Sequence, residues 1–371
     1  MPRHYLDHAS TSPARPSVVD AMLPWLGGGA DPGRVHTEGR IARGVIEVAR
    51  EQVAALLGAR PREVVFTSGA TEAINAAVWG ASERGDHAVC PEVEHSAVRD
   101  ASARLDLSWV GVDSVGRVDP DEVMGQVAPG RTAVVHLQWG NHEVGTLQPV
   151  AEVVAACRAA GVLVHVDAAQ AAGHVVIDFD ALGADLLSVS AHKLGGPLGA
   201  GAMLVRRGLR LRPLLVGGEQ ERARRGGMEN VAAIAGFGAA AAKLHEGAGG
   251  LDEAGVARAQ TEQLLAAALK VDGVVAYGDP DARLPHLVCI GVAGVEAEAV
   301  LLGLDQAGIA AHSGSACSSE SLEPSPVLAA MGVDAERSLR LSVGWSTTDD
   351  DVTAFADAFP RVVEKLRALR G

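Results

Sequence analysis

The stretch Ala184-Asp185-Leu186-Leu187-Ser188-Val189-Ser190-Ala191-His192-Lys193, followed by Gly195-Gly196-Pro197, is an apolar run that ends at a lysine and a glycine loop. A short apolar run bounded by turn residues reads as a strand, and Lys193 stands where it breaks off. The chain has four lysines, and Lys243, Lys270 and Lys365 lie in Ala/Leu/Glu-rich stretches that read as exposed helix faces. Lys193 is set apart by its place beside Ser190 and His192. An amine held there can form a Schiff base with a carbonyl, while the neighbouring hydroxyl and imidazole can hold a phosphate. Pyridoxal 5'-phosphate (PLP) carries both groups. A plain surface lysine after a strand is the alternative that this segment leaves open.

Upstream of it, β-rich runs alternate with helical ones. Residues 64–67 predict a strand and 71–82 a helix; 87–90 a strand and 94–105 a helix. Residues 132–137 predict a strand, 150–160 a helix and 162–166 a strand. Such alternation implies βα units around a mostly parallel sheet, with ligands bound beyond the carboxyl ends of the strands. The glycine-rich stretch Gly247-Ala248-Gly249-Gly250 follows a helical run over 230–246 and is taken as a domain boundary. Beyond it lie a helix (252–270), strands (273–277 and 286–292), a helix (296–307), strands (308–312 and 338–343) and a final helix (349–369). The expected fold is α/β, with a large domain over 13–249 and a smaller α+β domain made of 1–12 and 250–371.

The length of 371 residues favours two domains over one core. A hydrophobic share of 48% with 21% charged residues is ordinary for a globular chain. No segment approaches the roughly 18 uninterrupted apolar residues of a membrane span, and residues 1–8 have no apolar signal region, so a cytoplasmic protein is expected. A formal charge of −14 argues against non-specific nucleic-acid binding. No two cysteines have CxxC spacing, so neither a zinc site nor a disulfide framework is expected. Cys90, Cys157 and Cys289 lie in apolar runs and read as inert core thiols. Cys317 lies in the small-residue loop Ser313-Gly314-Ser315-Ala316-Cys317-Ser318-Ser319-Glu320-Ser321, with no apolar face to bury it, and is a candidate for chemistry.

Four further segments fall at strand ends or in strands. Ser68-Gly69-Ala70-Thr71-Glu72 is a small-residue turn opening a helix, suited to an anion or to a simple N-cap. Asp167, directly after an apolar strand in His165-Val166-Asp167-Ala168-Ala169-Gln170, is suited to pairing with a pyridinium nitrogen. His95 opens a helix, where an imidazole can stack on a ring or move protons. Arg340, inside the apolar strand 338–342, needs a carboxylate partner, either a substrate's or a buried Asp or Glu.

Taken jointly, these residues resemble the cysteine desulfurases of the class V, fold-type I PLP family. The likeness runs through residues 5–13, 66–72, 93–95, 165–170, 190–193, 220–222, 313–317 and 322–325, and the long cysteine loop resembles the group I branch. The resemblance implies a homodimer acting on L-cysteine, yielding alanine and a persulfide on Cys317. It makes Lys193 the Schiff-base and proton-moving lysine, Asp167 the pyridinium partner, Gln170 a donor to the ring oxygen and His95 the ring-stacking group. Ala70, Thr71, Ser190 and His192 are implied to hold the phosphate, Arg340 the substrate carboxylate, and Asn141 and His142 to contact substrate and cofactor. The implied acceptor is a scaffold protein for iron–sulfur assembly or a tRNA-thiolation enzyme, the latter left open because the chain ends at Gly371 without the tail some relatives use.

Two positions depart from the pattern. The family's Asn-Asn-Glu reads Asn141-His142-Glu143, and its motif ending in Gly-Thr reads Arg225-Gly226-Gly227-Met228, where a methionine cannot donate to a neighbouring subunit's phosphate. Rival readings are another class V enzyme, either an aminotransferase or a selenocysteine lyase, and a weakly catalytic partner-binding homologue.

Overall fold

The computed structural model describes residues 3–28, 30–246, 251–313 and 325–369. Cys317 and the glycine stretch 247–250 therefore lie outside the described residues. Strands, in chain order, are β1 (His4–Tyr5), β2 (Val64–Thr67), β3 (His87–Pro91), β4 (Asp106–Val110), β5 (Thr132–Gln138), β6 (Leu163–Asp167) and β7 (Leu186–Ser190). They continue as β8 (Gly201–Val205), β9 (Val274–Tyr277), β10 (Leu287–Val292), β11 (Ile309–Ala310), β12 (His312–Ser313) and β13 (Ser338–Ser342).

Among the described residues, the large sheet has the order β2-β8-β7-β6-β5-β3-β4. All neighbours run parallel except β8, which is antiparallel to both β2 and β7. Every residue of β5, β6 and β7 is buried, as strands covered by helices on both faces require. The outer strand β4 keeps its first four residues at least partly exposed. The helix expected over 94–105 is shorter, running Ser96–Ser102, because His95 caps it and residues beyond it turn into β4. Helices Thr37–Leu56 and Val231–Glu246 lie against each other beneath the sheet, and Ile46, Val53 and Phe237 are fully buried there.

The second sheet is antiparallel, in the order β12-β13-β10-β9. Helix Asp349–Ala368 packs on it through Phe355 and Phe359. The N-terminal segment joins this part of the molecule: β1 pairs with β11, and Leu6 is fully buried among Leu264, Ile290 and Leu339.

One turn in the large part is held against its own preference. Glu221, Arg222 and Ala223 have φ of 49°, 59° and 59°, a conformation costing about 1–2 kcal/mol for each such residue. The Glu221 carboxylate takes two hydrogen bonds from buried Arg50, both 2.7 Å, and one from the Phe66 N–H at 2.9 Å. Removing one partner of such a pair strands a buried charge. Arg50→Ala is therefore expected to lower unfolding free energy by about 3–5 kcal/mol, and Arg50→Met with Glu221→Leu to recover most of it. Urea titration of the three proteins checks this.

Candidate active site

The parallel strands β2, β5, β6 and β7 all end on one side of the large sheet, and a cavity of about 520 Å³ lies beyond them. That volume falls within the range of small-molecule sites. Lys193 reaches it from the 3-10 turn Ala191–Leu194, which continues β7 and ends at Gly195. Gly195 has φ of 73°, and a Cβ there would come within 3.0 Å of both Arg15 and Trp345, so only glycine closes this turn without displacing its neighbours. The Lys193 amine donates to the carbonyl of Ala9.

Asp167 is the last residue of β6 and is buried, with one carboxylate oxygen accepting the Ala169 N–H at 2.9 Å. Burial pushes its carboxyl above the usual range, so a cation arriving in the cavity would be strongly favoured beside it. Gln170 follows; its Nε2 donates to the Ala9 carbonyl at 2.7 Å. His95 caps its helix through Nδ1, which accepts the Ala97 N–H at 3.1 Å. In the neutral ring the proton therefore sits on Nε2. Burial, with His142, Lys193 and Arg340 nearby, lowers the His95 pKa to about 3.

On the other side stands the N-terminus of helix Ala70–Ala81, whose cap, Gly69, makes no side-chain bond. The first N–H groups of such a helix have no partner within it and suit an anion. This end sits directly on the sheet because β8 begins with Gly201. A Cβ at Gly201 would lie 2.6 Å from the Gly69 backbone and 2.7 Å from the Val189 oxygen. Ala70, Thr71, Ser190 and His192 all line the cavity here. Glu72, also in the lining, is tied to Arg225 at 2.8 Å and to the Ser68 N–H at 2.9 Å.

Arg340 enters from β13 and is 4% exposed. Its carboxylate partner within the chain is the partly exposed Asp7: Nη2 reaches Asp7 at 3.0 Å and Ser10 at 2.7 Å, and Nη1 reaches the His142 carbonyl at 2.8 Å. Its Nε is buried with no partner among the described residues, and the residue lines the cavity, where a guanidinium suits a ligand carboxylate. His142 lines the cavity, its ring edge-on to His95 at 4.9 Å, and its Nε2 is 3.5 Å from Glu143.

The structure thus gathers Ala70, Thr71, His95, His142, Asp167, Gln170, Ser190, His192, Lys193 and Arg340 around one space. Asn141, expected to contact substrate, lies behind the lining rather than in it. Fully buried, it accepts the Glu143 and Val144 N–H groups at 2.8 and 2.9 Å and donates toward Val93 and Gln138. Its amide shapes the turn that presents His142. Cys317 lies outside the described residues, and Met228 is 65% exposed. The sequence reading missed Ser10, Gln138 and His312 in the lining. It also left Glu94 without a role. That carboxyl is buried, accepts the Gln138 N–H at 2.5 Å, and is pushed up to about 8 by burial and then by Asp167.

The donor set fits PLP: a lysine amine, a buried carboxylate for a ring cation and an anion-binding helix end share one cavity. Residues 4–355 match the aminotransferase class-V family, and the chain belongs to it. A cysteine desulfurase of Nostoc sp. is 40% identical, over 98% of this chain and 94% of the relative. Cysteine desulfurase IscS 1 of Archaeoglobus fulgidus is 38% identical, over 98% of both chains. A solved NifS-like protein superposes with a TM-score of 0.91 at 29% identity, covering 98% of this chain and all of the other. Within the family, this chain stands with the cysteine desulfurases.

Several buried or half-buried histidines predict a fold that is sensitive to acid. Burial lowers His8, His136 and His192 to about 4 and His95 and His174 to about 3. Each takes up a proton near pH 6.5 when unfolded but not when folded, so its contribution is complete above pH 6.5 and falls as pH drops toward 4. The loss is about 1.4 kcal/mol per group per pH unit. Glu94 runs the other way, losing stability as pH rises from its unfolded value toward 8. Asp167 is pushed the same way as Glu94, while His165 and His286 are depressed with the other histidines. The histidines outnumber the two carboxyls and predict a urea midpoint that falls from pH 6.5 to 4; a flat profile would contradict these burials.

Proposed function

We propose that this chain is a PLP-dependent cysteine desulfurase that converts L-cysteine to L-alanine and leaves the sulfur on Cys317. The carrying observation is that Lys193, buried Asp167 and the free end of helix Ala70–Ala81 face one cavity. Bound through Lys193, PLP would supply an electron sink that labilises bonds at the substrate's carbon atoms. Asp167 holds the positive charge of the ring nitrogen, which keeps that sink strong. The N–H groups of Ala70 and Thr71, with Ser190 and His192, hold the phosphate. His95 packs against the ring and keeps its proton on Nε2 at neutral pH. Gln170 presents an N–H to the ring oxygen.

Arg340, steadied by Asp7 and Ser10, offers its guanidinium to the substrate carboxylate and so fixes which bonds face the ring. Asn141 holds the turn that brings His142 to the same space. Lys193 Nζ takes the α-proton and returns it. The Cys317 thiolate attacks the substrate sulfur: the sulfur–carbon bond breaks as a sulfur–sulfur bond forms, and a proton completes the methyl group of alanine. No outside oxidant or reductant enters. The sulfur then passes to an acceptor protein serving iron–sulfur assembly or tRNA thiolation.

The working form in this reading is a cytoplasmic homodimer, with the chain divided at 13–249 against 1–12 and 250–371. Supporting it, an apolar groove of about 570 Å³ beside the active site is lined by Val19, Met22, Leu26, Pro197 and Leu198, with Leu26 and Leu198 65% and 74% exposed. Among the described residues no helix is long and apolar enough to cross a membrane.

The enzyme loaded with PLP is expected to show a visible absorption band that Lys193→Ala abolishes. It should form alanine from L-cysteine, with mass spectrometry finding one extra sulfur on Cys317. Cys317→Ala is expected to cut alanine formation at least about 100-fold, the scale on which a positioned reacting group acts. Wild-type turnover in that variant would overturn the sulfur-acceptor assignment. Ultracentrifugation is expected to give a dimer that Leu26→Asp with Leu198→Asp disperses.

A further inference from the structure

Behind the cavity wall, two imidazoles that the proposed reaction does not use lie face to face. His286, 1% exposed, leads into β10, and His174 follows Gln170 in the connection after β6. Their ring centroids are 3.5 Å apart and their planes 15° from parallel. His286 Nε2 is 3.2 Å from Gln170 Oε1.

Hydrogen-bond chemistry settles where the protons are. The Ala9 carbonyl only accepts, so the Gln170 amide atom 2.7 Å from it must be Nε2. Oε1 then faces His286, and the imidazole nitrogen opposite it must carry a hydrogen and donate. Nδ1 of His286 is left as a bare lone pair, buried and without a partner among the described residues. Turning the amide over would set Oε1 against the Ala9 oxygen and an N–H against the histidine N–H, which is two repulsions in place of two bonds.

We infer that His286, held flat against His174, is a positioning residue that locks the Gln170 amide with its NH₂ toward Ala9 and the cofactor cavity. The inference rests on the PLP reading above for its consequence. Gln170 has two N–H bonds; one is engaged by Ala9, and the other is left for an oxygen of the ligand. Without the lock, the amide can present its carbonyl there and repel that oxygen. The lock holds at neutral pH because both rings stay uncharged. Burial, with Arg15, His8 and Lys193 nearby, takes His174 to about 3. Burial, with His174, Lys193, His8 and Arg340, holds His286 well below its ordinary value.

Two variants separate this role from packing alone. His286→Phe keeps a ring to stack on His174 but has no donor, whereas His286→Asn supplies a side-chain N–H. In cofactor-free wild-type protein labelled with ¹⁵N-histidine, the resonance missing from His286→Phe is expected to be the neutral, Nε2-protonated tautomer at pH 7. An Nδ1-protonated ring or an imidazolium overturns the inference. In PLP-loaded protein, His286→Phe is expected to raise the Kd for PLP about 3–10-fold, the worth of one hydrogen bond, and to displace the visible band. His286→Asn should return both toward wild type, and in a Gln170→Leu background His286→Phe should add nothing. An unchanged band and Kd in His286→Phe, no rescue by Asn, or an undiminished effect without Gln170 each overturns it. A wild type that binds no PLP would count against the proposed function, while the tautomer measurement would still decide the place of His286.

Discussion

One backbone oxygen, that of Ala9, accepts from both the Lys193 amine and the Gln170 amide, so the aim of two cavity side chains depends on where the N-terminal segment lies. That segment is held at several points. Ala9 N–H donates to Ser342 at 2.8 Å, and Ser12 N–H to the His192 carbonyl at 3.0 Å. Arg15 adds bonds to the Gly195 and Leu194 carbonyls and a two-pronged pair with Glu253, both contacts at 2.7 Å. The strap thus spans from β13 to the lysine turn and on to helix Leu251–Ala268. A change near residue 9 would be felt at the cofactor position without touching the large sheet.

The electrostatics of the cavity follow from dehydration as much as from charge. The chain is strongly acidic, with a formal charge of −14, yet Lys193 and Arg340 both face this space. Asp167 and Asp7 are the carboxylates set against them, and His95 and His192 stay neutral because burial makes an imidazolium too costly there. At the helix Ala70–Ala81 end of the cavity the lining is backbone N–H groups, hydroxyls and an imidazole rather than a lysine, a set suited to an anion. Arg225 is engaged elsewhere, steadying Glu72 and through it the Ser68 backbone.

Much of the fold was legible because strands buried on both faces leave continuous apolar runs, as in Thr132–Gln138 and Leu163–Asp167. The exceptions have reasons. β4 is an outer strand carrying exposed Asp106 and Trp109, so it lacks that signature. β8 opens with Gly201 and runs back against its neighbours, and it hid inside an apparent glycine loop. Helix Thr37–Leu56 contains Gly39 and Gly44, which weaken its pattern. In the site, Lys193, Asp167 and Arg340 stood out because a charge at or in a buried strand is expensive without a purpose. Nothing comparable marked Ala9, which acts through its backbone. Asn141 drew notice by resemblance, yet its amide is consumed by its own turn. His286 and Gln170 are 116 residues apart, and no local pattern joins them.

The left-handed turn at Glu221–Ala223 reaches beyond stability. Its anchor, Arg50, lies 171 residues earlier in the chain, and the Arg225 that leaves the turn clasps Glu72 from 153 residues away. The anion cup at the start of helix Ala70–Ala81 is therefore finished only when three distant stretches of chain have met. The helix end that the proposed function gives to the phosphate therefore depends on long-range contacts, and its geometry reports on how completely these stretches have come together.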